Sequence, residues 1–216
     1  MDFVGARQRM VFGQIRISRV TDPLVLKAIA TLPREVFAPQ SMQSTAYRDE
    51  DLPLGKNRYL MEPMVLARLL QLAKIQPTDV VLDIGCATGY SAGVLAHMAT
   101  SVVALESDAS LAETAVATLE EQGIDNVAVI TASLEAGYAK QAPYNVIVFE
   151  GAVDAIPREI RYQLADGGRL VAMVQSGVFA TATLVKREGR VFSYRTEFEA
   201  STARLPGFER APGFVF

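Results

Sequence analysis

A chain of 216 residues, half of them apolar and with mean hydropathy +0.20, can bury one substantial core and is too apolar for a disordered class. Twenty-one basic residues against 24 acidic give a net charge of -3, and positive charge gathers only at Lys186-Arg187 and neighbouring Arg190, so nucleic acid is not expected as a main partner. The lone cysteine, Cys86, has no internal disulfide partner, no apolar run reaches the ~20 residues of a membrane helix, and a cytoplasmic location is expected.

The first 20 residues carry Arg7, Arg9, Arg16 and Arg19 with only Asp2 as an acid, faintly like a targeting segment, and read better as a helical arm packed across the domain. Thr21-Asp22-Pro23 starts a helix that Pro33 ends. Residues 34–62 show no sustained period and predict a long irregular connection, a lid or substrate-side segment. Glu62-Pro63 opens the next helix, whose apolar face is Val65, Leu66, Leu69, Leu70 and Leu72, with Pro77 as its stop. These signals divide the chain into an N-terminal arm and substrate-side segment, 1–62, and a main domain, 63–216.

Val80-Val81-Leu82 then leads into Asp83-Ile84-Gly85-Cys86-Ala87-Thr88-Gly89-Tyr90, and Glu106 closes a second apolar strand, Ser101–Leu105, 21 residues after Gly85. A buried strand turning through small residues into a helix N-terminus is a nucleotide-binding turn. A dinucleotide reading needs G-x-G-x-x-G and a site friendly to pyrophosphate. Here the spacing is G-x-A-x-G, and Asp83 would repel a diphosphate. S-adenosylmethionine has no phosphate and carries an ammonium and a sulfonium, so it suits this turn, with the Glu106 carboxylate accepting from both ribose hydroxyls. The bland alternative is a glycine-containing turn of any α/β domain. Cys86 reads as a small loop residue, because no histidine but His97 exists to activate it, and His97 itself reads as a helix-end residue.

Further along, Ser110-x-x-Glu113 predicts a capping box for a helix ended by Gly123. Strands follow at 126–130, 144–149 and 169–174, the last two separated by a short helix over 157–164 and a turn at Asp166-Gly167-Gly168. The alternation predicts a doubly wound, mostly parallel α/β sheet of Rossmann-like type, and 181–186 with 191–198 add an edge hairpin to make seven strands. The tail from Pro206 to Phe216 reads as packing on the body. No spacing of ligands suggests a metal site.

Several separate stretches resemble the protein-L-isoaspartate O-methyltransferase family. Pro33-Arg34-Glu35-Val36-Phe37-Ala38-Pro39 is similar to its PR-x-x-F-x-P segment; Ala46-Tyr47-Arg48-Asp49 and Leu52-Pro53-Leu54-Gly55 resemble AY-x-D and LPIG elements, and Asp83–Ala96 resembles EIGTGSGYQAAVLA. Ala142-Pro143-Tyr144, Ile156-Pro157 and Gln163–Leu170 are like its later stretches. The resemblance implies a class I S-adenosylmethionine-dependent methyltransferase that releases S-adenosylhomocysteine. It implies cofactor contacts at Asp83, Gly85, Cys86, Ala87, Gly89, Tyr90, Glu106, Ser107, Ser133 and Leu134, and a substrate side at Tyr47, Asp49, Tyr59 and Leu60. The family's Thr-Ile-Ser tripeptide aligns with Tyr59, Leu60 and Met61, followed by Glu62; its Gly-Asp-Gly aligns with Ala132-Ser133-Leu134, and the acid of its Phe-Asp pair is Asn145.

Methylation of a carboxylate of pKa ~4 needs alignment rather than a base. Loss of the serine therefore removes an orienting donor, typically ~0.5–1.5 kcal/mol. Met61 and Glu62 take the place of the active-site segment. Glu62 either caps its helix or faces the pocket, where it would repel a substrate carboxylate and suit a protic or cationic acceptor. Three functions remain open: methyl transfer to the α-carboxyl of isoaspartyl residues in damaged proteins, methylation of another acceptor such as a small metabolite, and non-catalytic binding of the cofactor.

Overall fold

The computed structural model describes residues 1–209, so the last seven residues of the predicted tail packing lie outside the described residues. Helix α1 (Phe3–Met10) continues through one wider turn, Val11–Ile15, and α2 follows at Pro23–Thr31. Asp22 caps α2 by accepting from the amides of Leu24 and Val25 at 2.9 and 3.3 Å, and Pro23 sits where no amide hydrogen is needed. Met10, Val11 and Ile15 are buried in the main core, so the arm is an integral cover of the sheet.

The stretch 34–62 is more ordered than its sequence suggests. Two short 3-10 helices, Arg34–Phe37 and Gln40–Thr45, precede a hairpin of β1 (Leu52–Gly55) and β2 (Arg58–Leu60). Lys56 and Asn57 at its tip have φ of 52° and 57°, the left-handed pair that matches the twist of two paired strands. Pro53 and Gly55 break the alternation that would have announced a strand.

Helix α3 (Pro63–Ala73) ends on left-handed Lys74, ahead of Pro77. Then come β3 (Val80–Ile84), α4 (Tyr90–Ala96), β4 (Ser101–Glu106), α5 (Ala109–Glu121), β5 (Val127–Thr131), β6 (Tyr144–Val153), α6 (Arg158–Arg161), β7 (Leu164–Ser176), β8 (Phe179–Glu188) and β9 (Val191–Ala200). The residue that caps α5 is Asp108, which accepts from the amides of Ser110 and Leu111, and not Ser110 as the capping-box pattern suggests. Helix α6 is only one turn long, because Leu164 already pairs with Tyr144 and the predicted Gly-Gly turn is absorbed into β7 as an irregularity of register.

The seven strands lie in the order β5-β4-β3-β6-β7-β8-β9, parallel from β5 to β7 and antiparallel beyond. Val81, Val102, Val146 and Val148 face one core, under the arm, α3 and α4; Leu82, Ile84, Val103, Leu105 and Ile147 face the other, with Ile160 and the C-terminal residues Leu205 and Phe208. The chain leaves β3 in one direction to β4 and β5, then returns to β6 on its other side. That reversal opens a crevice at the carboxyl ends of β3 and β6, where open α/β sheets bind ligands.

Candidate active site

Asp83 ends within β3 and pairs across to Ala104, which sets the strand tips level. The amides of Gly85 and Cys86 both donate to the Leu105 carbonyl, at 2.8 and 3.1 Å, and Gly85 adopts φ +88°. This folds the turn over the end of β4 and brings it to Glu106. Glu106 is fully buried: one carboxylate oxygen accepts from the Ala87 amide at 2.8 Å, the other from the amides of Ser107 and Asp108 at 2.8 and 3.0 Å. Three backbone donors converging on one acid aim and stabilise its charge.

Asp83 is equally buried. The Ser91 hydroxyl donates to one of its oxygens at 2.7 Å, and the other has no hydrogen-bond partner. Burial pushes its pKa up, the Ser91 bond opposes this, and the Glu106 charge adds to the rise. A third acid, Glu150, stands on β6 just past Phe149, the residue paired with Ile84. It too is buried with an oxygen lacking a partner, and burial and the Asp83 charge push it up. In the sequence it follows the apolar run Val146–Phe149, but β6 continues past it to Val153. Three acids are thus buried together, and a cation beside them lowers the cost of their charged forms.

The residues holding that charge are ones sequence patterns did not flag. Arg58 of β2 is 3% exposed, and one guanidinium nitrogen donates to Glu106 at 2.8 Å and to the Gly85 carbonyl at 2.7 Å. A Cβ built on Gly85 would lie 3.0 Å from that nitrogen and 2.7 Å from Leu205 Cδ2, and one built on Gly151 would lie 2.7 Å from Leu205 Cγ. Arg58 and Leu205 thus fill the space in front of the turn. Gly89 serves a different contact: its Cβ position is 3.1 Å from Ala115 Cβ, so its smallness lets α5 approach. With φ +95° as well, Gly89→Ala is expected to cost about 1–3 kcal/mol, read as a lower denaturation midpoint in urea at unchanged slope.

The remaining predicted residues are distributed as follows. Cys86 is buried, and burial with the Asp83 charge pushes its thiol up, away from reactivity. Ala87 sits at φ +49° and presents its amide to Glu106. Tyr90 starts α4 but turns its ring to Phe37, 5.6 Å away, and to the Arg34 guanidinium at 4.8 Å. The Ala132 amide donates to the Glu106 carbonyl at 3.0 Å, which hangs the next loop beside β4; in it Leu134 is buried and Ser133 is exposed, with its hydroxyl on Glu135. His97 is at the end of α4.

In the segment expected on the substrate side, the Tyr47 hydroxyl donates to Glu35, while Leu60 and Met61 are buried in the core. Buried Arg34 binds that segment from below, donating to the carbonyls of Ala46 and Met61 at 2.7 Å each. Glu62 does not cap α3. The amide of Glu62 itself, just ahead of α3, donates to Asp51 at 2.7 Å, and the first-turn amide of Met64 donates to Asp49. The Glu62 side chain is left half-buried near both, and burial first, then the charges of Asp49 and Asp51, raise its pKa to about 7.

For a carboxyl raised in the folded state, the native protein holds the extra proton, so stability falls as pH rises from the unfolded value near 4.5 through about 7. Glu62→Gln is therefore expected to raise the thermal midpoint at pH 8 and to leave it unchanged at pH 4. Screening at this half-exposed position holds the gain to about 1 kcal/mol. Equal midpoints at pH 8 would show that Glu62 is free of those neighbours.

Comparison with known proteins adds to this geometry. A family model described as protein-L-isoaspartate(D-aspartate) O-methyltransferase matches residues 6–201. The chain belongs to this family. The protein-L-isoaspartate O-methyltransferase of Koribacter versatilis is 38% identical over 182 residues, 84% of this chain and 82% of its own; that of Methanospirillum hungatei is 36% identical over 181, covering 84% of each. Among solved structures, a protein-L-isoaspartate O-methyltransferase superposes with TM-score 0.82 at 26% identity, over 93% of this chain and 66% of the other. A Plasmodium falciparum protein described as a putative member, solved with S-adenosyl-L-homocysteine, shares the fold at TM-score 0.80 and 16% identity, over 92% of this chain and 97% of its own. The sheet is thus that of a class I methyltransferase of the protein-L-isoaspartate O-methyltransferase family.

Proposed function

We propose that the chain is an S-adenosylmethionine-dependent protein-L-isoaspartate O-methyltransferase, with residues 1–62 on the acceptor side and 63–216 on the cofactor side. The observation that carries the cofactor assignment is Glu106, a fully buried carboxylate at a strand tip, aimed by three amides and set beside two further buried acids. The donor set fits the cofactor: Glu106 for the ribose hydroxyls, the Gly85–Ala87 turn for close backbone approach, Asp83 and Glu150 for the positive charges, and the Ser133-Leu134 loop for the base. The ends of Arg58 and Leu205 lie in front of the turn and would have to withdraw for the cofactor to enter.

The cofactor, when bound, supplies an electrophilic methyl group. The chain's part is to hold the acceptor carboxylate in line and dry; attraction between a carboxylate and a sulfonium is worth about 4 kcal/mol at roughly 4 Å and an effective dielectric of about 20. Substrates are then proteins or peptides carrying isoaspartate. Among the described residues no helix is long and apolar enough to cross a membrane, and a cytoplasmic site of action is part of the proposal.

The position of Glu62 favours a second reading. With Asp49 and Asp51 it makes the acceptor side acidic, which suits a cationic acceptor or one that must lose a proton. Transfer of labelled methyl to an isoaspartyl peptide, against its aspartyl isomer and a no-acceptor control, separates the readings. Base-labile label on the isoaspartyl peptide alone is the expected result; cofactor binding without transfer would direct the search to other acceptors or to a non-catalytic binding role.

A further inference from the structure

The charged forms of the three buried acids favour a cation beside them, and in this structure the chain supplies its own. The Arg58 guanidinium takes the place on Glu106 that ribose hydroxyls would take, and it lowers the cost of burying Asp83 and Glu150 beside it. Leu205 covers the apolar floor between Gly85 and Gly151. Both are ends of side chains on short elements outside the seven-stranded sheet. Arg58 lies on a two-stranded hairpin whose tip is tied down by a solvent-facing Lys56–Asp108 pair. Leu205 lies on a segment beside the end of β6, where the Ala152 amide donates to the Ala203 carbonyl and the Leu205 amide to the Ala152 carbonyl, at 2.8 Å each.

One residue joins the two elements. Asp51, directly before β1, accepts from the Glu62 amide and from the Ala203 amide at 2.7 Å each. The acceptor-side segment and the C-terminal strap therefore share a carboxylate.

We propose that the β1–β2 hairpin and the 203–205 strap are a gate, in which Arg58 and Leu205 occupy the cofactor site of the resting protein and withdraw together, through Asp51, when the cofactor takes their place. The proposal rests on the cofactor assignment above. Its chemical logic is exchange of one cation for another: the buried acids give up a guanidinium and receive the ammonium and sulfonium of S-adenosylmethionine. Affinity for the cofactor is then reduced by the fraction of molecules in which the gate is shut.

The test uses the full chain, with S-adenosylhomocysteine as the probe in titration calorimetry and amide exchange at Leu205 as a second readout. Arg58→Met keeps the apolar stem and removes the competing charge. It is expected to bind the probe about tenfold more tightly than the parent chain, ~1.4 kcal/mol, while the ligand-free variant melts at lower temperature. Leu205→Ala, which leaves the ion pair intact, is expected to tighten binding in the same direction and decides the matter should Arg58→Met not fold. Saturating probe should speed exchange of the Leu205 amide in the parent chain. Unchanged or weaker binding in the folded variants, or a Leu205 amide still protected at saturation, would overturn the gate and leave the cofactor assignment standing. Failure of parent and both variants to bind would overturn the assignment and the gate with it.

Discussion

Glu106→Gln is expected to lower the midpoint of thermal unfolding by roughly 6–12 °C, about 3 kcal/mol for a chain of this size, and to weaken S-adenosylhomocysteine binding by at least about a hundredfold. The carboxylate accepts from Arg58 and from the amides of Ala87, Ser107 and Asp108 while fully buried. Glutamine has the same shape but one oxygen. Whichever way its amide turns, its nitrogen faces backbone donors, and Arg58 loses the negative charge that offsets its burial beside the Gly85 carbonyl. Thermal unfolding with and without the probe checks both halves. A midpoint within about 3 °C of the parent would mean that the three amides, and not the charge, hold this turn. The effect on binding is opposite in sign to that of Arg58→Met, so the two variants together distinguish the acid that receives a ligand from the cation that competes with it.

The second large effect is expected at Arg34. Arg34→Met should cost about 3 kcal/mol and speed amide exchange across residues 46–61, with α5 and β5 unaffected. Arg34 is completely buried, donates to the carbonyls of Ala46 and Met61, and lies over the ring of Tyr90. It is the pin between the two 3-10 turns, the strand leading to the acceptor side and the first residue of α4. Methionine restores the apolar contact and leaves those carbonyls without donors in the core. Arg34→Lys should not rescue, because a single ammonium lacks the planar fork that spans two carbonyls. A global loss of protection with no excess at 46–61 would show that the residue stabilises the sheet as a whole instead.

Much of this molecule was legible along the chain. The β-α alternation, the capped start of α2 and the glycine turn after β3 are each set by neighbours within a few residues, where periodicity and backbone conformation act directly. Glu106 was legible for the same reason: an acid that closes a buried strand one β-α unit after the turn must come to rest beside it. Glu150 follows the apolar run Val146–Phe149 in the same way, but β6 continues past it to Val153, so its place in the sequence does not mark a strand tip. Where local signals competed, they misled: Asp108 caps α5 ahead of the better-known pattern at Ser110, and the β1–β2 hairpin hides behind Pro53 and Gly55.

By itself, then, the order of residues determined the sheet, the turn, the acid at the strand tip and the family to which they belong, because these follow from short-range geometry repeated along a right-handed alternation of strand and helix. It also displayed Glu62 directly ahead of a helix-starting proline. Only the tertiary structure decided what those residues meet. The Glu62 side chain does not cap α3, whose Met64 amide goes to Asp49, while the Glu62 amide goes to Asp51. Buried Glu106 is paired with Arg58, 48 residues away in sequence, and the turn beside it is covered by Leu205. No periodicity links such positions, since each contact is a matter of charge and volume being satisfied across the top of the sheet after the chain has closed on itself.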